Sequence, residues 1–517
     1  MKKYSAQILT ILTMILLGAG ALLGQGAAPK DLDAYAARAM KTLDVPGIAV
    51  TIVKDGRVVL AKGYGVKKRG EPAPVDENTL FGIGSNTKAF TSAMLASLVD
   101  EGKIAWDDPV YQRLPGFQMY DPYVSHEMTI RDLLTHRSGM GLGEGDLLFW
   151  PHTTFTRDEI IYKLRFMKPA SSFRSRYAYD NLLYIAAGQI IEHVTGKSWE
   201  ENVRERILRP LGMKTTNLSN GAFQPGDNYA WPHSAIGGPL RPIEFVPLDN
   251  AAPAGSINSS AAEMGRWLLL QLNHGKIPDH EGRIFSEARS RDMWSAQTLV
   301  PIGENRGPLT PKFSAYGLGW GLQDYHGRKL VGHTGGVAGF ISRVMLVPEE
   351  NLGVVVLTNS ETFLIDAVLF HVLDSYFGLP PTDWIAAFKA AADGAAKAAD
   401  EAMRAAGAAR AADSKPPLAL DQYAGVYSDA WYGSATMGME GGKLVFRLDH
   451  TPKAVGDLEP WQYDTFKVKW RDRIIEDAFL TFALNADGQI DHMTMKAVSP
   501  LADFSFDYQD LWFIKIK

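Results

Sequence analysis

Between Pro46 and Gly63 apolar and polar positions alternate in two runs, IAVTIV and RVVLAKG, on either side of Asp55-Gly56. A period of two around a tight Asp-Gly turn predicts a β-hairpin. From Thr87 the period lengthens, with Phe90, Met94, Leu95 and Leu98 three and four residues apart, which predicts a helix. Helical spacing also covers residues 130–134, 158–165 and 181–194, the last stopped by Thr195-Gly196. Strand patterns return at 329–333, 341–347 and 353–358, followed by an amphipathic helix over 364–377. A hairpin at the start, helices between and strands at the end predict an α+β domain whose sheet draws on both ends of the segment.

The pattern then changes. Residues 384–412 are dominated by Ala with charged residues between, and end in Asp413-Ser414-Lys415-Pro416-Pro417. High helix propensity with few large apolar residues predicts a semi-rigid helical linker, or an Ala-packed helix, closed by prolines. Short strand patterns follow at 423–427, 443–448, 466–470, 479–484 paired with 490–496, 504–508 and 513–516. Their close spacing predicts a small antiparallel β-barrel or sandwich. The expected organisation is a signal peptide over 1–28, a main domain over 29–380, the helical linker over 381–417 and a β domain over 418–517.

Bulk properties narrow the function. At 517 residues and 46% hydrophobic, the chain holds more than one domain with sizeable cores. Lys2 and Lys3, an apolar run over 8–23 and small residues over 18–28 have the order of a secretory signal, with cleavage expected after Ala21 or Gly26. The competing reading is an uncleaved anchor. Later segments are too short in apolar run to span a bilayer. A secreted or periplasmic protein without a stable membrane span after cleavage is expected. The net charge of −5 and the lack of a basic run beyond the N-terminus argue against nucleic acid as a partner. With no Cys, the chain has no disulfide, thiolate zinc site, catalytic thiol or lipoprotein anchor.

The chemistry centres on Phe81-Gly82-Ile83-Gly84-Ser85-Asn86-Thr87-Lys88. In a helix beginning near Ser85, positions i and i+3 share a face, so the Ser hydroxyl and the Lys amine can meet. The helix N-terminus adds backbone N–H groups and partial positive charge, which favour an oxyanion and disfavour a protonated Lys88. Alone this is weak, since about one S-x-x-K arises by chance in a chain this long, and an N-cap Ser with a solvated Lys explains it as well. Two further elements follow: Tyr179-Asp180-Asn181 at a loop-to-helix transition, and Gly332-His333-Thr334-Gly335-Gly336 at the end of an apolar strand. The G-x-S-x-G elbow of an α/β-hydrolase, an H-E-x-x-H zinc site and a phosphate-binding glycine loop are all missing.

These elements, with TIRDLLTHRSGM (129–140), RPLGMKTT (209–216), PAGSINSSAAEMGRW (253–267) and YGLGWGL (316–322), resemble the class C β-lactamase and penicillin-binding-protein-like serine hydrolases, with their D-alanyl-D-alanine carboxypeptidase, D-aminopeptidase and esterase relatives. The resemblance spans about residues 31–377. It implies an antiparallel sheet with helices on both faces plus an all-helical subdomain, no cofactor and no metal. It makes Ser85 the nucleophile, Lys88 its proton acceptor, and Tyr179 a general base with a pKa lowered by cationic neighbours. Asn181 would bond Lys88 and the substrate amide. The N–H groups of Ser85 and Gly336 would form the oxyanion hole. Gly335 and Gly336 would let a strand edge approach substrate, with His333 and Thr334 contacting it.

Two departures qualify the resemblance. His333 stands where penicillin-active relatives often carry Lys, and as a pH-dependent cation it argues against efficient β-lactam hydrolysis or strict carboxypeptidase action. The effect of Asp180 is not legible from the sequence. The aromatic stretch 147–152 fits either a cleft wall or packing under a loop. The C-terminal domain resembles lipocalin-like modules, and is a candidate for ligand binding, homo-oligomer assembly, partial cover of the cleft or plain stabilisation. The expected partner is a small-molecule or short-peptide substrate cleaved at an amide or ester (D-residue peptides, esters and β-lactams all fit). The rival is a catalytically weak penicillin-binding-like sensor or scaffold.

Overall fold

The computed structural model describes residues 26–516 except 220, 222, 225, 304–306, 363, 364 and 412. The expected signal segment up to residue 25, and the ends assigned to Leu364 and Ala412, lie outside them.

Two runs of β-branched and aliphatic residues form the predicted hairpin, β1 (Gly47–Lys54) and β2 (Arg57–Gly65). The sheet is completed from the far end of the domain by β3 (Thr298–Leu299), β4 (Ser314–Tyr316), β5 (Gly321–Tyr325), β6 (Arg328–Val337), β7 (Phe340–Val347) and β8 (Leu352–Thr358). Its antiparallel order is β2-β1-β8-β7-β6-β5-β4-β3, with Ile48 opposite Thr358 where the two ends of the segment meet. The central strands read as continuous apolar runs because both faces are covered. On β1, Ile48, Val50 and Ile52 face helices α1 (Leu32–Leu43) and α5 (Ile365–Phe377), whereas Ala49 and Val53 join the opposite core. That core contains helices α2 (Thr87–Asp100), α3 (Leu182–Thr195) and α4 (Ala261–Leu272).

A 25-residue helix, α6 (Trp384–Ala408), follows; Trp384 and Ile385 bury themselves on α5 while most of its length is exposed. The chain then closes an eight-stranded barrel: β9 (Gly425–Asp429), β10 (Gly433–Glu440), β11 (Lys443–Leu448), β12 (Val455–Gln462), β13 (Thr465–Trp470), β14 (Ala478–Leu484), β15 (Ile490–Ala497) and β16 (Trp512–Lys515). Two strands, β10 and β12, escape the sequence reading because Gly433, Gly438, Gly456 and Pro460 interrupt the alternation. The expected strand over 504–508 is a correction. Phe506, Asp507 and Tyr508 are buried in a loop between β15 and β16, and Phe504 projects from it. Its alternation comes from the loop packing against the main domain: Phe506 lies 6.4 Å from the Trp150 ring, and Phe504 closes on Gly143. No helix among the described residues is long and apolar enough to cross a membrane.

Candidate active site

Ser85 sits in a single 3₁₀ turn, Gly84–Asn86, that leads into α2; the α-helix proper begins at Thr87, where its spacing predicted. Gly84 has φ +50°, and a Cβ there would lie 2.7 Å from Gly336 N, so only glycine brings the Ser85 turn this close to β6. Gly335 serves the same approach. Its own Cβ would collide with Ile83 O, so it makes room for the Ser85 turn and not, as expected, for substrate. Gly336 is exposed to the cleft. Beyond Gly332, β6 pairs with β7 alone, because pairing with β5 ends at Gly321–Gly332; the edge from His333 to Val337 is open.

Lys88 is fully buried at 0% exposure. Its Nζ contacts Ser85 Oγ at 3.0 Å, Asn181 Oδ1 at 2.6 Å and Ala254 O at 3.0 Å. Burial pulls its pKa down to about 7, against the opposing pull of Asp146 and Asp180. A neutral amine has two N–H donors and one lone pair. Asn181 Oδ1 and Ala254 O only accept, whereas the Ser85 hydroxyl also donates. Once Lys88 is neutral, its lone pair therefore faces Ser85.

Tyr179 lies alongside, its ring centroid 4.9 Å from Lys88 Nζ. Its hydroxyl is buried and makes no hydrogen bond of regular geometry among the described residues, although Ser85 is the neighbour that most favours its ionisation. Burial outweighs that influence and holds the phenol well above its ordinary pKa, so the expected lowering is corrected: Tyr179 is a neutral phenol. Asn181 precedes α3, yet its side chain makes no capping bond; it bridges Lys88 and Asp146, donating to Asp146 Oδ2 at 2.8 Å. Asp180 turns away from the cleft. It is buried, accepts from Ser138 Oγ at 3.4 Å, and its N–H donates to His136 Nδ1 at 3.2 Å.

His333 is also corrected. Its Nδ1 lies 2.6 Å from Thr334 O, which only accepts, so Nδ1 carries the hydrogen. Nε2 then accepts from the Tyr316 hydroxyl at 2.7 Å. Burial first, and the Lys88 charge second, hold its pKa down to about 3. His333 is a neutral, doubly bonded ring rather than a cation. The permanent cation beside Thr334 is Arg343, hydrogen-bonded to Thr334 Oγ1 and paired with Asp366 at 3.2 Å.

The family model described as Beta-lactamase matches residues 32–369. The chain belongs to the Beta-lactamase family. A second family model, described as a domain of unknown function (DUF3471), matches residues 409–515. The unguisins hydrolase ungD' of Aspergillus campestris (strain IBT 28561) is 35% identical over 378 residues, covering 69% of this chain and 68% of that protein. The Protein flp of Staphylococcus aureus (strain MW2) is 29% identical over 341 residues, or 63% of this chain, and the match spans only 62% of its length. Among solved structures, the octameric penicillin-binding protein homologue from Pyrococcus abyssi has a TM-score of 0.59 at 23% identity, covering 94% of this chain and 99% of that one. The D-amino acid amidase from Ochrobactrum anthropi SV3 has a TM-score of 0.55 at 25% identity, covering 68% and 98%.

In this family member the cleft has a volume of about 1400 Å³. The aromatic stretch divides its work. Leu147 and Leu148 are core, while Phe149 and Trp150 line the cleft with Tyr177 and Tyr316. The barrel supplies more of the wall, including Arg473, Phe504 and Phe506. Three site residues escaped sequence reasoning: Asp146, Tyr316 and Ser505. Tyr316 opens the YGLGWGL phrase, and that was its sole signal.

Proposed function

We propose that this protein is a serine hydrolase that cleaves an amide or ester through an acyl-enzyme on Ser85. The observation that carries the reading is the buried Lys88 amine, 3.0 Å from Ser85 Oγ, with its pKa drawn down to about 7. Ser85 Oγ attacks the substrate carbonyl carbon while its proton passes to Lys88. The tetrahedral oxyanion is held by the N–H groups of Ser85 and Gly336. The C–N or C–O bond breaks as the Tyr179 phenol delivers a proton to the leaving amine or alcohol, and Lys88 reprotonates the phenol. Water then hydrolyses the Ser85 ester, giving its proton back through Lys88.

Substrate preference follows from the walls. The open edge of β6 suits an extended acyl chain, and Phe149, Trp150, Tyr177 and Tyr316 suit an apolar side chain. A neutral His333 offers no charge to a substrate carboxylate, which favours an amidase or esterase over a carboxypeptidase or β-lactamase. The resemblance to a D-amino acid amidase and to unguisins hydrolases supports the same direction. The N-terminal signal pattern supports export, with the enzyme acting in the periplasm or outside the cell.

Intact-mass analysis with a chromogenic ester, a D-amino acid amide and a penicillin tests the reading. The ester and the amide are expected to leave or turn over an acyl adduct that Ser85→Ala abolishes. Equal rates in wild type and Ser85→Ala would overturn it in favour of a sensor or scaffold.

A further inference from the structure

The Asn181 amide presents its oxygen to Lys88 only while its nitrogen has an acceptor on the other side. That acceptor is Asp146 Oδ2, and the same oxygen accepts a second hydrogen bond, at 2.8 Å, from Ser505 Oγ. Ser505 lies 359 residues further along, in the loop between β15 and β16 of the barrel. Asp507 of that loop accepts from Gly145 N at 2.6 Å and Leu147 N at 3.2 Å, the two residues that flank Asp146. Gly143, with φ +69°, lets the loop close: a Cβ there would lie 2.7 Å from Phe504 O. The barrel thus grips the turn that carries Asp146 from both sides.

We propose that the barrel completes the active centre, with Ser505 as a positioning residue that, through Asp146 and the Asn181 amide, aims the lone pair of Lys88 at Ser85. The inference rests on the acyl-enzyme reading. Were the Asn181 amide to turn over, its NH₂ group would face the amine and compete with the Ser85 hydroxyl for the lone pair. Asp146 prevents this in either protonation state. Its Oδ2 takes both hydrogen bonds, and Oδ1, without a hydrogen bond among the described residues, is free to hold a proton. Burial pushes the Asp146 carboxyl up to about 8, so a second donor on Oδ2 holds its orientation where charge alone does not.

The test uses the full chain and p-nitrophenyl esters, with kcat, KM and the pH–rate profile as readouts. Ser505→Ala and Ser505→Val are expected to lower kcat roughly tenfold, as for loss of one hydrogen bond in a buried polar network. KM should stay within about twofold, the acid limb of the profile should move, and Ser505→Thr should restore both. Phe504→Ala, on the cleft side of the same loop, should change KM instead. Folded Ala and Val variants with wild-type kcat and pH profile would overturn the proposal. So would Ala and Val variants that lose the fold where Thr keeps it, because the hydroxyl would then serve folding alone. A wild-type protein that forms no Ser85 adduct fails the acyl-enzyme reading itself, whereas normal acylation with indifferent Ser505 variants fails only this inference.

Discussion

Two nitrogen bases, Lys88 on the helix side of the cleft and His333 on its strand side, are both buried, and in both burial is the main cause of a lowered pKa. They end in different chemical states. The lysine keeps two accept-only partners and one hydroxyl, so its lone pair is directed to Ser85 when it loses its proton. The histidine lone pair is already taken by the Tyr316 hydroxyl, and its N–H by Thr334 O. Desolvation weakens the hold of each on its proton; the hydrogen-bond partners decide which lone pair is available. A lowered pKa is therefore a functional signal only with its geometry.

The comparison can be broken most directly at the lysine. Lys88→Gln should lower kcat/KM for a chromogenic ester by about 10³-fold or more, the scale for losing the proton acceptor of a covalent mechanism. Comparable activity after this change would end its role. Asn181→Leu, which removes the amide that orients the amine, is expected to cost roughly 10²-fold, mainly in kcat. His333→Gln should cost less than about tenfold, since no proton passes through the ring; a loss equal to that of Lys88→Gln would erase the distinction. Tyr316→Phe should have the smallest effect, within about threefold on kcat/KM. It releases the His333 lone pair, so an added inflection in the pH–rate profile would sharpen the contrast.

The framework of the main domain was legible because its signals are local. Asp55-Gly56 marks the hairpin, and the three- and four-residue spacing after Thr87 marks the helix that follows Ser85. Three short motifs likewise marked Ser85, Lys88, Tyr179, Asn181 and His333 as neighbours, and the fold draws them into one cleft. What could not be read was ionisation, because that depends on what covers a side chain. Tyr179 and His333 were each assigned a charge tendency that burial reverses. The Ser505–Asp146 link leaves no trace in spacing, since its members are 359 residues apart. The barrel loop misled for a related reason: Phe504, Phe506 and Tyr508 alternate as a strand would, yet that pattern fits a loop wedged against another domain.

The pH dependence of the single-turnover rate of Ser85 acylation, followed by intact mass, tests the neutral-lysine claim most directly. Lys88 accepts a proton only when neutral, so the rate should rise with pH as one proton is lost, with an inflection near 7. In Lys88→Gln that limb should vanish along with nearly all of the rate. A wild-type rate that is flat from about pH 5 to 9, or the same limb persisting in Lys88→Gln, would contradict the account.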